Sequence, residues 1–114
     1  MAHPASSRST LDLVVTSVAS GRPLVAVAGD LDAFSVGDLV RRLRVLLVEQ
    51  RPAQIRLDLS GVSFLDTTAA GELTRLHGVA AAAGCVLSVD AANEATWWLF
   101  GTLGLADRLS PAGG

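Results

Sequence analysis

Apolar and polar positions alternate in two different periods along this chain, and the switches between them mark the elements. Leu11 to Val18 is rich in β-branched residues and predicts a strand. Ser20-Gly21-Arg22-Pro23 is turn chemistry, and Leu24 to Ala28 is a continuous apolar run closed by Gly29. These two segments predict a hairpin whose second strand is central. Val36, Leu39, Val40, Leu43, Leu46 and Leu47 then fall at helical spacing, with Arg41, Arg42, Arg44 and Glu49 mostly off that stripe. The helix they predict begins near Ser35 and stops before Pro52. Ile55, Leu57 and Leu59 alternate with Arg56 and Asp58, a half-buried strand that ends in a short loop.

That loop delivers Asp66-Thr67-Thr68 to a second helix with an apolar face of Ala69, Leu73, Leu76, Ala80 and Ala83, capped by Gly84. Cys85 to Val89 predicts another strand. Asn93 and Glu94 suit the start of a third helix that Gly104 ends, and Leu105 to Leu109 is a short final turn or helix. The order β-β-α-β-α-β-α predicts an α/β fold: a mixed, mostly parallel sheet of four or five strands with helices packed against it. One domain over residues 11–110 is expected, between a disordered tail at 1–10 and a short tail at 111–114.

Composition narrows the class. Of 114 residues half are hydrophobic, so an ordered core is affordable without metal or disulfide. The net charge of −2 gives no basis for direct nucleic-acid contact or an anionic membrane. All nine basic residues are arginine, a weak hint of a GC-rich bacterial genome. Residues 1–10 lack the apolar core of a secretory signal, and no apolar run reaches the roughly 20 residues of a bilayer span. The expectation is a soluble cytoplasmic protein without membrane insertion. Cys85, the single cysteine, suits a buried small hydrophobe.

Catalytic inventory is thin. His3 lies in the tail, and His77 beside the apolar stripe of the second helix is expected at the solvated surface. Neither a Ser-His-Asp nor a Cys-His arrangement is credible, no phosphate loop is present, and no cluster has metal-ligand spacing, so no catalytic residue, cofactor or metal is expected. Asp30, Asp32 and Asp66 all fall at strand ends, on one edge of a parallel sheet. There they either bind Mg²⁺ or orient a hydroxyl, or do plain turn and cap chemistry, the simpler alternative. Asp58 belongs to the polar face, paired with Arg56 or a neighbour. Trp97 and Trp98 flank the stripe Thr96, Leu99, Phe100, Leu103 and point about 100° apart. Either a wide core stripe covers both, or one indole is exposed and belongs to a contact surface.

Leu57-Asp58-Leu59-Ser60-Gly61-Val62-Ser63-Phe64-Leu65-Asp66-Thr67-Thr68 resembles the phosphorylation-site region of STAS domains, in particular bacterial anti-sigma-factor antagonists. Val27-Ala28-Gly29-Asp30-Leu31-Asp32 is similar to the family's second strand, and Gly104-Leu105 before Leu109 to its ending. The resemblance spans residues 11–109. It implies a non-enzymatic regulator with Thr67 as phosphoacceptor, Thr68 as the neighbouring hydroxyl, Asp66 as the family's acid and Gly71 as the second glycine of the helix start. Ala69 departs from the usual glycine, and its Cβ is expected to hinder a partner's backbone. The expected contact surface is Asp30, Asp32, Asp66, Thr67, Thr68, Ala69, Gly71 and Trp98.

By resemblance, the unphosphorylated form binds an anti-sigma factor of serine/threonine kinase type and frees a sigma factor. Phosphorylation at Thr67 ends the contact, and a PP2C-type phosphatase resets it. A homodimer is a further expectation. The alternatives are a STAS accessory subunit of an ABC-type lipid transporter and a stressosome-type scaffold.

Overall fold

In a computed structural model the protein is described over residues 11–16 and 21–109. The expected tails at 1–10 and 111–114 lie outside these residues. Four strands, β1 (Asp12–Thr16), β2 (Leu24–Leu31), β3 (Gln54–Leu65) and β4 (Val86–Ala92), form one sheet in the order β1-β2-β3-β4. β1 pairs antiparallel with β2, the predicted hairpin, while β2, β3 and β4 run parallel. Helices α1 (Val36–Gln50), α2 (Thr67–Ala82), α3 (Glu94–Thr102) and α4 (Ala106–Leu109) complete the chain.

Strand alternation decides the layering. Val25 and Val27, Ile55, Leu57 and Leu59, and Leu87 and Val89 are buried in one core with the inward rows of the helices. Those rows are Leu39, Leu43, Leu46 and Leu47 of α1 and Leu73, Leu76 and Ala80 of α2. Val40 is only half-buried, and Ala83, expected on the apolar face, is exposed as the C-cap of α2. Cys85 is buried, and burial pushes its thiol above the ordinary value.

Three strands run further than their sequence predicts, β4 past Val89 to Ala92 among them. β2 passes through Gly29 to Leu31, with Gly29 at φ 109° beside a register irregularity. β3 continues through Ser60 and Gly61, where a loop was expected, as far as Leu65. A bulge accounts for this: the register between β2 and β3 shifts after Ala26, and Ala28 then pairs with Gly61. A Cβ on Gly61 would meet the Ala28 Cβ at 3.0 Å and the Val27 carbonyl at 3.1 Å, so glycine here permits strand contact rather than breaking the strand. Asp58 does not pair with Arg56. It accepts hydrogen bonds from the Ser60 hydroxyl at 2.6 Å and the Ser60 N–H at 2.9 Å, which hold its carboxyl below the ordinary value. Arg56 faces Asp90 instead, at 3.7 Å.

Because β2, β3 and β4 are parallel, their carboxyl ends share one edge, and α1, α2 and α3 all begin there.

Candidate functional site at the carboxyl edge of the sheet

Each parallel strand ends in an Asp or Asn that caps the chain's next turn. Asp32 follows β2, and its Oδ1 accepts from the N–H groups of Phe34 at 2.9 Å and Ser35 at 3.0 Å. The Ser35 hydroxyl is buried and donates to the Asp30 carbonyl at 2.7 Å, which locks the turn into α1. Asn93 follows β4: its Oδ1 accepts from Thr96 N–H at 2.8 Å, and its amide donates to the Val62 carbonyl at 2.9 Å.

Asp66 is the whole connection between β3 and α2, and its carboxylate has two tasks. Oδ1 accepts from Ala69 N–H at 2.8 Å, an N-cap of the third helical residue. Oδ2 accepts from Ala33 N–H at 3.2 Å, which ties the start of α2 to the β2–α1 turn. The Asp66 N–H also donates to the Leu31 carbonyl at 3.2 Å. Turn and cap chemistry thus accounts for Asp32 and Asp66, and among the described residues no three His, Cys, Asp or Glu side chains are grouped to hold a metal ion. Asp30 is half-buried, with no hydrogen bond or ion pair to its carboxylate among the described residues.

Thr67 and Thr68 open α2 and are both exposed, as the sequence placed them. Among the described residues neither hydroxyl has a hydrogen-bond partner. The N–H groups of both also lack an internal acceptor, as the first amides of a helix do. Exposed hydroxyl, free amides and the positive end of the helix dipole therefore coincide at Thr67.

Ala69 corrects an expectation. It is 0% exposed, so its Cβ lies in the core and cannot obstruct a partner, and it offers no contact surface in the free chain. The physical reason is the cap: once Asp66 fixes the helix start, Ala69, Ala70 and Leu73 fall on the inward row. Gly71 is exposed, and a Cβ there would meet nothing within 4 Å.

The two tryptophans separate. Trp97 meets Phe100 in a T-shaped pair, ring centroids 5.7 Å apart at 81°, and is partly buried. Trp98 is 70% exposed. Leu103, expected in the stripe, is also exposed, and the buried residues of α3 are Thr96 and Phe100 alone. His77 is half-buried on α2 rather than fully solvated.

Phe34 and Phe64 escaped the sequence reading. Phe34, in the β2–α1 turn, is 83% exposed, and Phe64, two residues before Asp66, is 54% exposed. Phe64 and Trp98 line one cavity of about 240 Å³ between the end of β3 and the start of α3. The phase of Ile55, Leu57 and Leu59 carried on to Leu65 leaves Phe64 on the outward row, but Val62, buried out of that phase, points the other way, so alternation by itself did not single Phe64 out.

A family model described as Mlab, STAS domain matches residues 14–111. The chain belongs to the STAS domain family. Solved structures agree with this STAS domain in fold. An anti-sigma factor antagonist from Mycobacterium paratuberculosis superposes with a TM-score of 0.76 at 22% identity, over 90% of this chain and 84% of that one. The unphosphorylated anti-sigma factor antagonist SpoIIAA gives 0.74 at 14% identity, over 85% and 84%. The phosphorylated Bacillus SpoIIAA gives 0.61 at 18%, over 85% and 87%. A search of the curated proteins gives no sequence match. No helix among the described residues of this STAS domain is long and apolar enough to cross a membrane.

The double role of Asp66 makes a prediction. Asp66→Ala is expected to cost about 2 kcal/mol, roughly 1 from the lost cap and 1 from the Ala33 hydrogen bond. Asp66→Asn keeps an effective cap and should recover most of the loss. Urea denaturation of the three proteins is the measurement. Equal stability of Asp66→Ala and the parent would show that neither bond contributes.

Proposed function

We propose that this STAS domain is a non-enzymatic, phosphorylation-controlled antagonist of an anti-sigma factor. In its unphosphorylated form the carboxyl edge binds an anti-sigma factor of serine/threonine kinase type, releasing a sigma factor. Transfer of phosphate to Thr67 ends the contact, and a phosphatase of PP2C type restores it. The observation that carries this reading is Thr67 itself: an exposed, unpartnered hydroxyl on the first residue of a helix already capped by Asp66.

The physics supports a switch that acts on the interface and not on the fold. Phosphate adds a charge of about −1.5 to −2. The free amides at the start of α2 and the helix dipole favour an anion there, so the domain has no reason to unfold. Asp66 is beside it, and Asp30 and Asp32 lie on the same edge. Further negative charge among them, once desolvated by a partner, opposes binding. Thr68, Gly71 and Trp98 complete the proposed contact surface with Phe34 and Phe64. That SpoIIAA, of similar fold, has been seen both unphosphorylated and phosphorylated fits this scheme.

The test is incubation with ATP and the kinase-type anti-sigma factors of the same genome, followed by mass spectrometry. Modification at Thr67, abolished in Thr67→Ala, is expected. Modification solely at Thr68, or none by any of them, overturns the proposal. A second reading, an accessory subunit of an ABC-type lipid transporter, is kept open by one observation. The matching family model carries the description Mlab, not that of an antagonist. Stable co-purification with a transporter and with no kinase would favour it.

A further inference from the structure

Residues 32–35, the turn between β2 and α1, present the most exposed large apolar side chain among the described residues, Phe34. Its ring adds nothing to the core, so its place is set by the backbone beneath it. Two kinds of hydrogen bond fasten that backbone. The first kind is local. The Asp32 carboxylate accepts from the N–H groups of Phe34 and Ser35, and the Ser35 hydroxyl accepts from the Asp32 N–H at 3.0 Å while donating to the Asp30 carbonyl. The second kind crosses to a different helix and is a single bond, from the Ala33 N–H to Asp66 Oδ2. Among the described residues no other hydrogen bond joins residues 32–35 to the head of α2.

The two oxygens of Asp66 are not held alike. Oδ1 meets the Ala69 N–H at 2.8 Å in a part-buried position, and Oδ2 meets the Ala33 N–H at 3.2 Å in an exposed one. Ala69 is buried, so its amide depends on the cap, whereas water can take over the exposed Ala33 N–H. A force on the carboxylate therefore breaks the Ala33 bond first. Thr67 is placed to supply one. It is the next residue, it is exposed, and its side chain stands at the same helix end. An anion there competes with Asp66 for the free amides and the dipole, and repels it at close range. Two exposed charges a few ångströms apart shift an equilibrium by about fivefold, the same order as one exposed hydrogen bond.

The geometry points to Asp66 as a positioning residue for Phe34: its carboxylate ties the turn that presents the ring to the head of α2, and negative charge on Thr67 releases the tie. With an uncharged residue at position 67 the ring is held in place. With a charged one the turn is freed from α2, while the Asp32 and Ser35 bonds keep it from unravelling. The consequence for binding rests on the contact surface proposed above, to which Phe34 belongs; the tie itself is a property of the free domain. Overall stability does not register the release, because the meeting of the new charge with the helix end offsets the lost bond. Only a probe at the turn sees it.

Residue-resolved NMR of the full chain, with no kinase present, tests this through the Ala33 amide. In Asp66→Ala the Ala33 N–H is expected to exchange with solvent about fivefold faster than in the parent, as for one lost exposed hydrogen bond. Thr67→Glu should show most of that acceleration, with the Ala33 amide resonance moved towards its position in Asp66→Ala. Ala69 should keep its slow exchange in Thr67→Glu, because Oδ1 stays in place. Nitrogen-15 relaxation should report a more mobile Phe34 backbone. Thr67→Gln, equal in length to Glu but uncharged, should leave Ala33 as in the parent. Thermal melts show that all three variants remain folded. Exchange at Ala33 unmoved by Asp66→Ala or by Thr67→Glu overturns the proposal. So does an equal effect of Thr67→Gln, or an equal loss at Ala69, which would mean that the whole helix end frays. Since neither kinase nor partner takes part, failure here leaves modification of Thr67 as proposed above, and failure of that modification leaves the tie standing.

Discussion

Thr67→Glu is expected to weaken binding to the proposed kinase-type partner about a hundredfold, near 3 kcal/mol, while leaving stability within about 0.5 kcal/mol. The two effects separate because the same charge has two environments. In the free domain a carboxylate at the first helical residue faces free N–H groups and the positive end of the dipole, and water solvates the rest. In the complex that water is displaced, and the new charge adjoins Asp66 on an edge that already holds Asp30 and Asp32. Thr67→Ala, which adds no charge, should bind within about threefold of the parent, since surface truncations typically cost little. Calorimetric titration gives the affinities, and thermal melts of both variants give the stabilities. Loss of binding in Thr67→Glu that merely followed loss of folding would falsify the electrostatic account. Glu carries less charge than phosphate, so the phosphorylated protein should bind more weakly still.

The largest effect on stability is expected at Phe100. Its side chain is fully buried, its ring pairs T-shaped with Trp97, and its carbonyl accepts from Leu105 N–H at 2.7 Å. Phe100→Ala should cost about 3–5 kcal/mol, the range for a buried phenylalanine whose cavity collapses only in part. Against a usual domain stability of about 5–15 kcal/mol this is a large fraction. Trp98→Ala, two residues earlier on the same helix, should cost no more than about 0.5 kcal/mol, because its indole is exposed. Urea denaturation distinguishes them: a lowered midpoint with an unchanged slope for Phe100→Ala, and little change for Trp98→Ala. The contrast matters for function. Phe100 anchors α3, which carries Trp98 to the carboxyl edge, so Phe100→Ala should also lose edge contacts that Trp98→Ala loses directly. Equal destabilisation by both substitutions would mean that Trp98 is a core residue and that the edge lacks its aromatic wall.

What the residues determined without the fold was local. The order of strands and helices followed from hydrophobic period, and the helix starts from short-range hydrogen bonds. Asp66 reaches Ala69, and Asn93 reaches Thr96, each across three residues. Such bonds depend on neighbours in the chain, so Thr67 at the head of an exposed turn was legible before any packing was known. The STAS resemblance rested on the same stretch. What only the tertiary structure decided depended on partners far along the chain. The continuation of β3 past Gly61 needed β2 and its bulge beside it. Asp66 meeting Ala33, and Arg56 choosing Asp90 over Asp58, are pairings that no local rule anticipates. The apolar period already put Ala69 on the inward face of its helix, but the division of the tryptophans was settled by which side of α3 the core covers. Periodicity ranks the faces of a helix, but two adjacent indoles fall on either side of one stripe, and only the packed core tells which of them water reaches.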